Sequence, residues 1–306
     1  MGTATPVRIR STNRPPGDYA MAVTVTNRIP MTTMHSWKKQ GLLPALLLIL
    51  MSAADRLPAA DGDAKATTPA ITVIDPPERG FFGKRLDYDG IPLKAPTNVV
   101  DAALFAAHDR LSMMMSNLPS VRAKLRAAGA ELQIIGRNQV TTDLPDWQHD
   151  KGKPLAEYHG LTRDQRTRGM GGLHTYCGEE NLLRLEQDRY RGRDICVHEF
   201  AHNILGSGTS RVFHEQVRAQ HRRSLDRGLW VGSYGGSNLD EFFAELSMWY
   251  FGTHGDLGMK GPKPANGRDG LKAYDPEAYA LLDDFYSGRL EPATPSPAPR
   301  QTETKK

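Results

Sequence analysis

Residues 194–206 read DICVHEFAHNILG, and this run decides the fold of the chain. His198 and His202 are four positions apart, so on a helix they share one face and both imidazoles reach the same metal ion. Glu199 then stands beside the metal without binding it. From there it can take a proton from a water on the metal, because zinc lowers the pKa of such a water to about 7. The run therefore predicts a helix that carries a zinc ion and a general base.

The ends and the buried face of this helix are predicted by the same run. Asp194 is a candidate N-cap, because a short acidic side chain accepts a hydrogen bond from the backbone of the first turn. Gly206 is a candidate C-terminal stop, since glycine most easily takes the left-handed conformation that ends helices. The apolar positions at helical spacing predict a core face formed by Val197, Phe200, Ala201, Ile204 and Leu205.

A catalytic zinc site needs a third protein ligand, with the fourth position left to water. The extended pattern that supplies a third histidine fails, because the chain has Leu205 and Gly208 at the required glycine and histidine positions. The better source is residues 238–251, an almost wholly apolar run typical of a buried helix, with Glu241 and Glu245 four positions apart. Buried carboxylates need partners, and a metal with its histidines would supply them. Pairing of both acids with arginines is the alternative.

Ahead of the two acids the chain reads SYGGSN over residues 233–238. Together with the histidine pair before it and the acidic run after it, this stretch resembles the catalytic domain of anthrax lethal factor-type, gluzincin-like zinc metallopeptidases. The resemblance covers residues 198–251. The positions that carry it are His198, Glu199, His202, Ser233, Tyr234, Gly235, Asn238, Glu241, Phe242, Phe243, Ala244 and Glu245. It implies an α+β, zincin-like domain that is mostly helical, with a small sheet lining the cleft.

The resemblance also implies a role for each matching residue. His198, His202 and Glu241 would bind one zinc ion per chain, and Glu199 would be the general base. Tyr234 lies seven positions before Glu241 and matches a tyrosine that assists the reaction. We expect its hydroxyl to donate a hydrogen bond to the oxyanion that develops on the substrate.

Glu245 has a different expected role, because only one of the two acids can be the third ligand if a position stays open for water. One turn beyond Glu241, it can accept the outer ring N–H of a zinc-bound histidine and fix its tautomer. The predicted reaction is hydrolysis of a peptide or protein substrate by a zinc-activated water. Two alternatives use the same residues: a zinc-binding envelope protein without turnover, and an amidase that acts on cell-wall peptides.

Hydrophobic spacing predicts the elements of the first half of the catalytic domain, which we place at residues 71–290. Residues 71–94 predict turns and short strands, because their short apolar runs are broken by proline and glycine. Over residues 100–114 the apolar residues are spaced alternately three and four positions apart, which predicts an amphipathic helix. A second short helix follows and is expected to end at Gly129.

The predicted small sheet comes from two later segments. Residues 131–135 form one strand candidate, and residues 173–185 contain two short strand-like runs separated by Gly178. Between them, the polar residues 141–170 predict a long surface loop, and loops of this length are uncommon unless functional. Residues 291–306 form a proline-rich tail that is predicted to be disordered.

The amino terminus predicts export. Residues 34–60 have basic positions, then a leucine-rich apolar stretch, then small residues, with candidate signal-peptide cleavage after Ala54 or Ala60. The apolar stretch is shorter than the about 20 residues of a spanning helix, so we expect no stable membrane span after cleavage; an uncleaved anchor is the alternative. Residues 1–33 are an upstream extension and residues 61–70 a polar linker. The mature protein is expected to be secreted or periplasmic.

Cys177 and Cys196 are the two cysteines of the chain. In an oxidising compartment an even pair predicts a disulfide bridge, which would stabilise the fold by about 3 kcal/mol if unstrained. Two buried free thiols are the alternative. Cys196 is not expected to bind the metal, because two positions before His198 it lies on nearly the opposite side of the helix.

Composition excludes several classes of protein. The chain is 39% hydrophobic and 24% charged, which is ordinary for a globular enzyme and unlike a fibrous or wholly disordered protein. Its net charge of +4 comes from 39 basic against 35 acidic residues, a mild excess. The densest basic run, residues 218–227, accompanies no nucleic-acid-binding motif, so no nucleic-acid partner is expected.

Overall fold

Six strands form one mixed sheet, which supports the helices of the candidate site. The structure, a computed structural model, describes residues 69–254 and 263–290. The strands are β1 (Thr72–Glu78), β2 (Phe82–Tyr88), β3 (Ile91–Ala95), β4 (Glu131–Ile135), β5 (Gly169–Met170) and β6 (His174–Gly178). Their order across the sheet is β1-β2-β3-β4-β6-β5.

The direction of strand pairing changes across the sheet. β1, β2 and β3 form an antiparallel meander, in which Leu86 lies opposite Leu93. β3, β4 and β6 are parallel neighbours, and β5 returns antiparallel to β6 at the edge of the sheet. Parallel neighbours require a crossover connection, which is helical between β3 and β4.

The helices pack on this sheet and on one another. They are α1 (Asp101–Met115), α2 (Pro119–Ala128), α3 (Arg163–Arg166), α4 (Glu179–Leu182), α5 (Ile195–Asn203), α6 (Arg211–Asp226), α7 (Leu239–Tyr250), α8 (Gly267–Tyr274) and α9 (Pro276–Tyr286). α5 packs on β6 on one side and on α7 on the other. In the part of the chain that the structure describes, no helix has both the length and the apolarity to cross a membrane.

One hydrophobic core joins the sheet to α5 and α7. Leu93 and Leu132 from the sheet, Phe200 from α5 and Phe243 from α7 are all buried in it. Full burial of one such side chain stabilises the fold by about 1.5–3 kcal/mol. The core therefore holds the two helices that carry the candidate site in a fixed relation to the sheet.

Several predicted elements are confirmed. The helix predicted at residues 100–114 is α1, and Gly129 ends α2 in the left-handed conformation at φ +78°. Residues 131–135 form β4, and the first strand-like run after residue 173 is β6. Residues 71–94 contribute three strands, so the sheet is larger than the small one predicted. The described domain is a mixed fold of helices and strands, consistent with the predicted α+β class, and it still has more residues in helices than in strands.

The second strand predicted in residues 173–185 is wrong, because the chain turns into α4 directly after β6. Asn181 is the physical reason. Its Oδ1 accepts from Ile195 N at 2.8 Å, and its Nδ2 donates to Asp188 and to Arg193 O at 2.9 and 2.8 Å. These hydrogen bonds hold the segment that leads into α5. The single turn of α4 orients the Asn181 side chain so that it can form them.

Residues 141–170 are more ordered than the predicted surface loop. They contain three short 3-10 turns, the helix α3 and the strand β5. Arg163 organises this region: its guanidinium stacks over Trp147 at 3.9 Å and pairs with Asp150 at 2.7 Å. Cation–π and ionic contacts of this kind carry no hydrophobic period, so the sequence pattern did not indicate them.

Gly206 does not stop helix α5, contrary to the prediction. α5 continues directly into a π-helical turn over Ile204–Gly208. Gly206 lacks the positive φ that a left-handed stop requires. The turn continues to Gly208, where a Cβ would meet Val121 Cγ1 at 2.7 Å, so close packing on α2 rather than a C-cap sets the end.

The predicted signal peptide at residues 34–60, the upstream extension at 1–33 and the tail at 291–306 lie outside the described residues. All but the last two residues of the predicted linker at 61–70 lie outside them as well. These assignments stay predictions.

Candidate metal centre

Two helix N-caps place the predicted ligands. Asp194 Oδ1 accepts from Val197 N at 3.1 Å and begins α5, as predicted. Asn238 Oδ1 accepts from Glu241 N at 3.0 Å and begins α7. α5 and α7 pack directly on each other. The histidines on successive turns of α5 therefore face the acids on successive turns of α7.

Three predicted ligand atoms converge on one point. His198 Nε2 lies 3.2 Å from His202 Nε2 and 3.2 Å from Glu241 Oε2. His202 Nε2 lies 3.7 Å from Glu241 Oε2. Ligands about 2.0–2.1 Å from a tetrahedral zinc ion are about 3.3 Å from one another, so these separations fit such a site. His198, Glu199 and His202 also form a group that could hold a metal, with ligand atoms within 4.8 Å of one another.

The chemistry of the donor atoms agrees with this geometry. Glu241 Oε2 is buried and has no hydrogen-bond partner, although its other oxygen accepts from the Tyr234 hydroxyl at 2.9 Å. A buried carboxyl oxygen without a partner is costly unless a cation binds it. Two imidazole nitrogens and one carboxyl oxygen are a common ligand set for catalytic zinc. The residues present therefore fit a zinc ion.

Glu245 lies behind His198 and not beside the three converging atoms. Its side chain is 0% exposed, and Oε1 lies 3.0 Å from His198 Nδ1. The contact is short but bent, so Nδ1 does not meet the angular requirement of a hydrogen bond. The same Oε1 accepts from Arg193 Nη2 at 2.6 Å.

The electrostatics of the centre favour a bound positive charge. Burial alone would lower the pKa of His198, but Glu241 and Glu245 outweigh it and raise that pKa to about 10. Burial would raise the pKa of Glu241, but its contacts with the histidines and with Tyr234 outweigh this and lower it. Burial and the nearby His198 lower the pKa of His202. Two acids thus attract one cation, which a metal ion can supply.

Glu199 lies beside the three converging atoms. It is half-buried, and burial raises the pKa of its carboxyl group to about 7. A general base acts best when its pKa is near the working pH. Its carboxyl oxygen lies within 4.8 Å of the imidazole nitrogens of His198 and His202, a separation that one water can bridge.

Tyr234 covers the other side of His198. The two rings stack with centroids 6.1 Å apart at an interplanar angle of 20°. Its hydroxyl donates to Glu241 Oε1, and burial followed by the charge of Glu241 raises its pKa. The side chain is nevertheless 47% exposed, so a substrate can reach it. The expected bond to an oxyanion would require the hydroxyl to leave Glu241.

Two glycines that the sequence analysis did not single out bring the sheet edge onto the metal helix. A Cβ at Gly171 would lie 2.5 Å from His202 Cβ and 3.0 Å from Glu199 O. A Cβ at Gly169 would collide with Ile195 and approach Glu199 Cγ at 3.1 Å. Glycine in or beside a strand indicates close backbone approach, and Gly169 in β5 and Gly171 just after it give such a signal in the sequence.

Cys177 and Cys196 lie in β6 and α5, and both are buried free thiols in this structure. Burial and a hydrogen bond with Cys196 raise the pKa of the Cys177 thiol. The structure therefore shows the free-thiol alternative, and a bridge between the pair stays a prediction.

Comparisons with known proteins add a structural likeness. No protein-family model and no curated protein matches this chain. Among solved structures, the chain is similar to the Pro-Pro endopeptidase from Paenibacillus alvei, with a TM-score of 0.45 and 16% sequence identity. The match covers 64% of this chain and 97% of that one. A likeness of this size does not assign the chain to a family.

Proposed function

We propose that this protein is a zinc-dependent metallohydrolase that cleaves peptide bonds. One observation carries the proposal: His198 Nε2, His202 Nε2 and Glu241 Oε2 lie 3.2–3.7 Å from one another, with Glu199 beside them. A purely structural zinc site is closed by four protein ligands and needs no base. Here three ligands and a half-buried carboxyl group with a pKa near 7 stand together, which is the arrangement of a hydrolytic site.

Each residue has a distinct part in the proposed reaction. Bound zinc would polarise the scissile carbonyl and acidify a water molecule. Glu199 removes a proton from that water and later gives it to the leaving nitrogen, so the proton balance closes. Tyr234 turns from Glu241 to donate a hydrogen bond to the oxyanion. His198, His202 and Glu241 would hold the zinc ion.

The sheet edge offers a place for an extended peptide. β5 is the last strand of the sheet within the described residues, and it runs along the metal helix at the two glycines. A peptide that pairs with the free edge of β5 would pass beside Glu199 and His202. We therefore propose a peptide or protein substrate bound by strand addition.

Metal analysis combined with peptide cleavage tests the function. The purified chain should contain about one zinc per molecule and cleave members of a peptide library. The matched control is Glu199→Gln, which keeps the shape of the side chain and cannot act as a base, so it should retain zinc and lose cleavage. Full activity in a zinc-loaded Glu199→Gln sample would remove Glu199 from the mechanism. Zinc without any cleavage would favour a binding protein, and cleavage confined to cell-wall peptides would favour an amidase.

We also propose that the protein is exported and then found outside the cytoplasm, on the layout of residues 34–60. Amino-terminal sequencing of the cellular protein should begin just after Ala54 or Ala60. An intact amino terminus on cytoplasmic protein would contradict export. Thiol labelling of the same sample without reductant reports directly on the bridge between Cys177 and Cys196.

A further inference from the structure

Behind the candidate metal centre, one carboxyl oxygen joins a histidine to an arginine. Glu245 Oε1 lies 3.0 Å from His198 Nδ1 and 2.6 Å from Arg193 Nη2. Glu245 is completely buried, so water does not compete for this oxygen. Both contacts use the same oxygen, so a movement of Arg193 would also displace the atom that lies beside His198 Nδ1.

The stem of Arg193 is itself firmly held. Its backbone carbonyl accepts from Asn181 Nδ2 at 2.8 Å and from Arg184 Nη1 at 3.0 Å. The next residue is Asp194, the N-cap of the metal helix. Arg193 therefore starts from a fixed point at the beginning of α5 and reaches across to Glu245 on α7.

We propose that Arg193 is a positioning residue for the candidate metal centre: it holds Glu245 against the outer nitrogen of His198. This inference rests on the proposed function, since it assigns Arg193 to the metal site on which that function depends. The hydrogen bond and ion pair of the Arg193 side chain go to Glu245 and not to the converging ligand atoms, so we expect its effect on their geometry to pass through Glu245.

The orientation of His198 explains why such a support matters. A histidine that donates its outer ring N–H to a carboxyl group presents the other nitrogen, with its lone pair, to the metal. The inner atom, His198 Nε2, is the one that lies 3.2 Å from both His202 Nε2 and Glu241 Oε2. Glu245 Oε2 is buried without a partner, so the Arg193 contact is what restrains the rotation of the carboxyl group. Losing the arginine would leave the group free to turn away from the imidazole.

Arg110 supplies a matched control. Its Nε pairs at 2.9 Å with Asp194 Oδ2, which Arg184 Nη2 also contacts at 2.9 Å, and Asp194 is as completely buried as Glu245. The side chain of Asp194 caps Val197 N and contacts neither imidazole. Removing Arg110 therefore disturbs a buried arginine–carboxyl pair at the same helix without touching the support of His198.

The experiment uses the full chain with Arg193→Gln, Arg193→Lys and Arg110→Gln. Zinc affinity is measured by chelator competition, and the visible spectrum of the cobalt(II)-substituted protein reports the geometry of the ligands. We expect Arg193→Gln to weaken zinc binding about 10-fold and to shift the cobalt bands. Arg193→Lys should recover most of the affinity, because the contact uses a single nitrogen rather than the guanidinium fork. Arg110→Gln should stay within about twofold of the parent affinity while its Tm falls.

A double-mutant cycle then separates positioning from a general loss of structure. If Arg193 acts through Glu245, adding Arg193→Gln to a Glu245→Gln chain should weaken zinc binding no further. Unchanged affinity and cobalt spectrum in folded Arg193→Gln would overturn the proposal, as would additive effects in the cycle or an equal loss in Arg110→Gln. If the parent chain binds zinc and cleaves peptides but the Arg193 variants do not behave as expected, only the role of Arg193 is overturned and the proposed function stays intact. A parent chain that binds no zinc overturns both.

Discussion

Two polar clusters in the described part of the chain differ in the groups that surround their acids. The candidate metal centre contains Glu199, Glu241 and Glu245 with the two histidines of α5. The second group, here called the sheet cluster, joins residues of β1, β3, β4 and β6 to the loop after β4. Its members are Glu78, Arg79, Lys94, Glu131, Gln133, Asp146 and His174.

Each acid of the sheet cluster has a cation from its own chain. Lys94 Nζ lies 2.7 Å from Glu78 Oε1 and 2.6 Å from Glu131 Oε1. Arg79 Nη2 lies 2.6 Å from Asp146 Oδ1. Glu78 and Glu131 share Lys94, so two fixed cations serve three acids, and each acid lies within 2.7 Å of one of them.

The candidate metal centre has fewer fixed cations, because its three acids have one arginine, Arg193, among them. Glu241 contacts two histidines and the Tyr234 hydroxyl, and its Oε2 has no hydrogen-bond partner. Only Glu245 pairs with an arginine, Arg193. Buried acids that exceed the fixed cations around them require either protons or a bound cation. A shortage of fixed cations, more than the presence of acids, therefore distinguishes the candidate metal centre from the sheet cluster.

The largest expected effect is loss of zinc on removing a ligand. Glu241→Ala or His202→Ala takes away one of three protein bonds to the metal, so neither variant should hold zinc at micromolar free metal. Glu131→Ala removes an equally well-ordered acid from the sheet cluster and should keep zinc in full. Chelator-competition titration of the three variants measures this. Stoichiometric zinc in Glu241→Ala would contradict the role of Glu241 as a metal ligand.

Glu245→Ala should have a smaller effect on the same measurement. It removes the support of His198 rather than a bond to the metal, so we expect zinc affinity to fall about 10 to 100-fold with some hydrolysis retained. If Glu245→Ala lost the metal and Glu241→Ala kept it, the ligand assignment would be reversed.

Gly171→Ala tests how tightly the sheet edge supports the metal helix. Its Cβ would lie 2.5 Å from His202 Cβ and 3.0 Å from a backbone oxygen, so we expect a loss of about 1–3 kcal/mol in unfolding free energy. Gly206→Ala is the control, because a Cβ there meets nothing within 4 Å. Denaturant titration compares the two. An equal stability for both variants would mean that β5 can move away from α5.

The smallest expected effect concerns the acid stability of the sheet cluster. Burial alone would raise the pKa of Asp146, but hydrogen bonds from Arg79, His174 and Gln133 outweigh it and lower it to about 2. A lowered folded-state pKa gives stability that is present above pH ~4 and is lost as pH falls toward 2. Asp146→Asn should therefore cost about 1 kcal/mol at neutral pH and flatten this acid loss. Unfolding titrations at pH 7 and pH 3 measure it, and identical pH dependence in both chains would contradict the assignment.

Local chemistry was enough for the sequence to predict the residues that converge in the candidate metal centre and the helices that carry them. The spacing of His198 and His202, the cap at Asp194 and the apolar run around Glu241 each depend on a single helix, whose period is known in advance. Strand β4 and helix α1 were readable for the same reason, because burial of one face leaves a regular pattern.

Only the tertiary structure decided which groups meet across elements. The single turn of α4 in place of a strand depends on Asn181 bonding to the segment before α5, and the place of Arg193 depends on its reaching from α5 to α7. The continuation past Gly206 likewise depends on how closely Gly208 packs on α2. These contacts join residues far apart in the chain through polar atoms and close packing. Polar contacts and close packing leave no periodic pattern in the sequence, because both are fixed by the distance between packed elements.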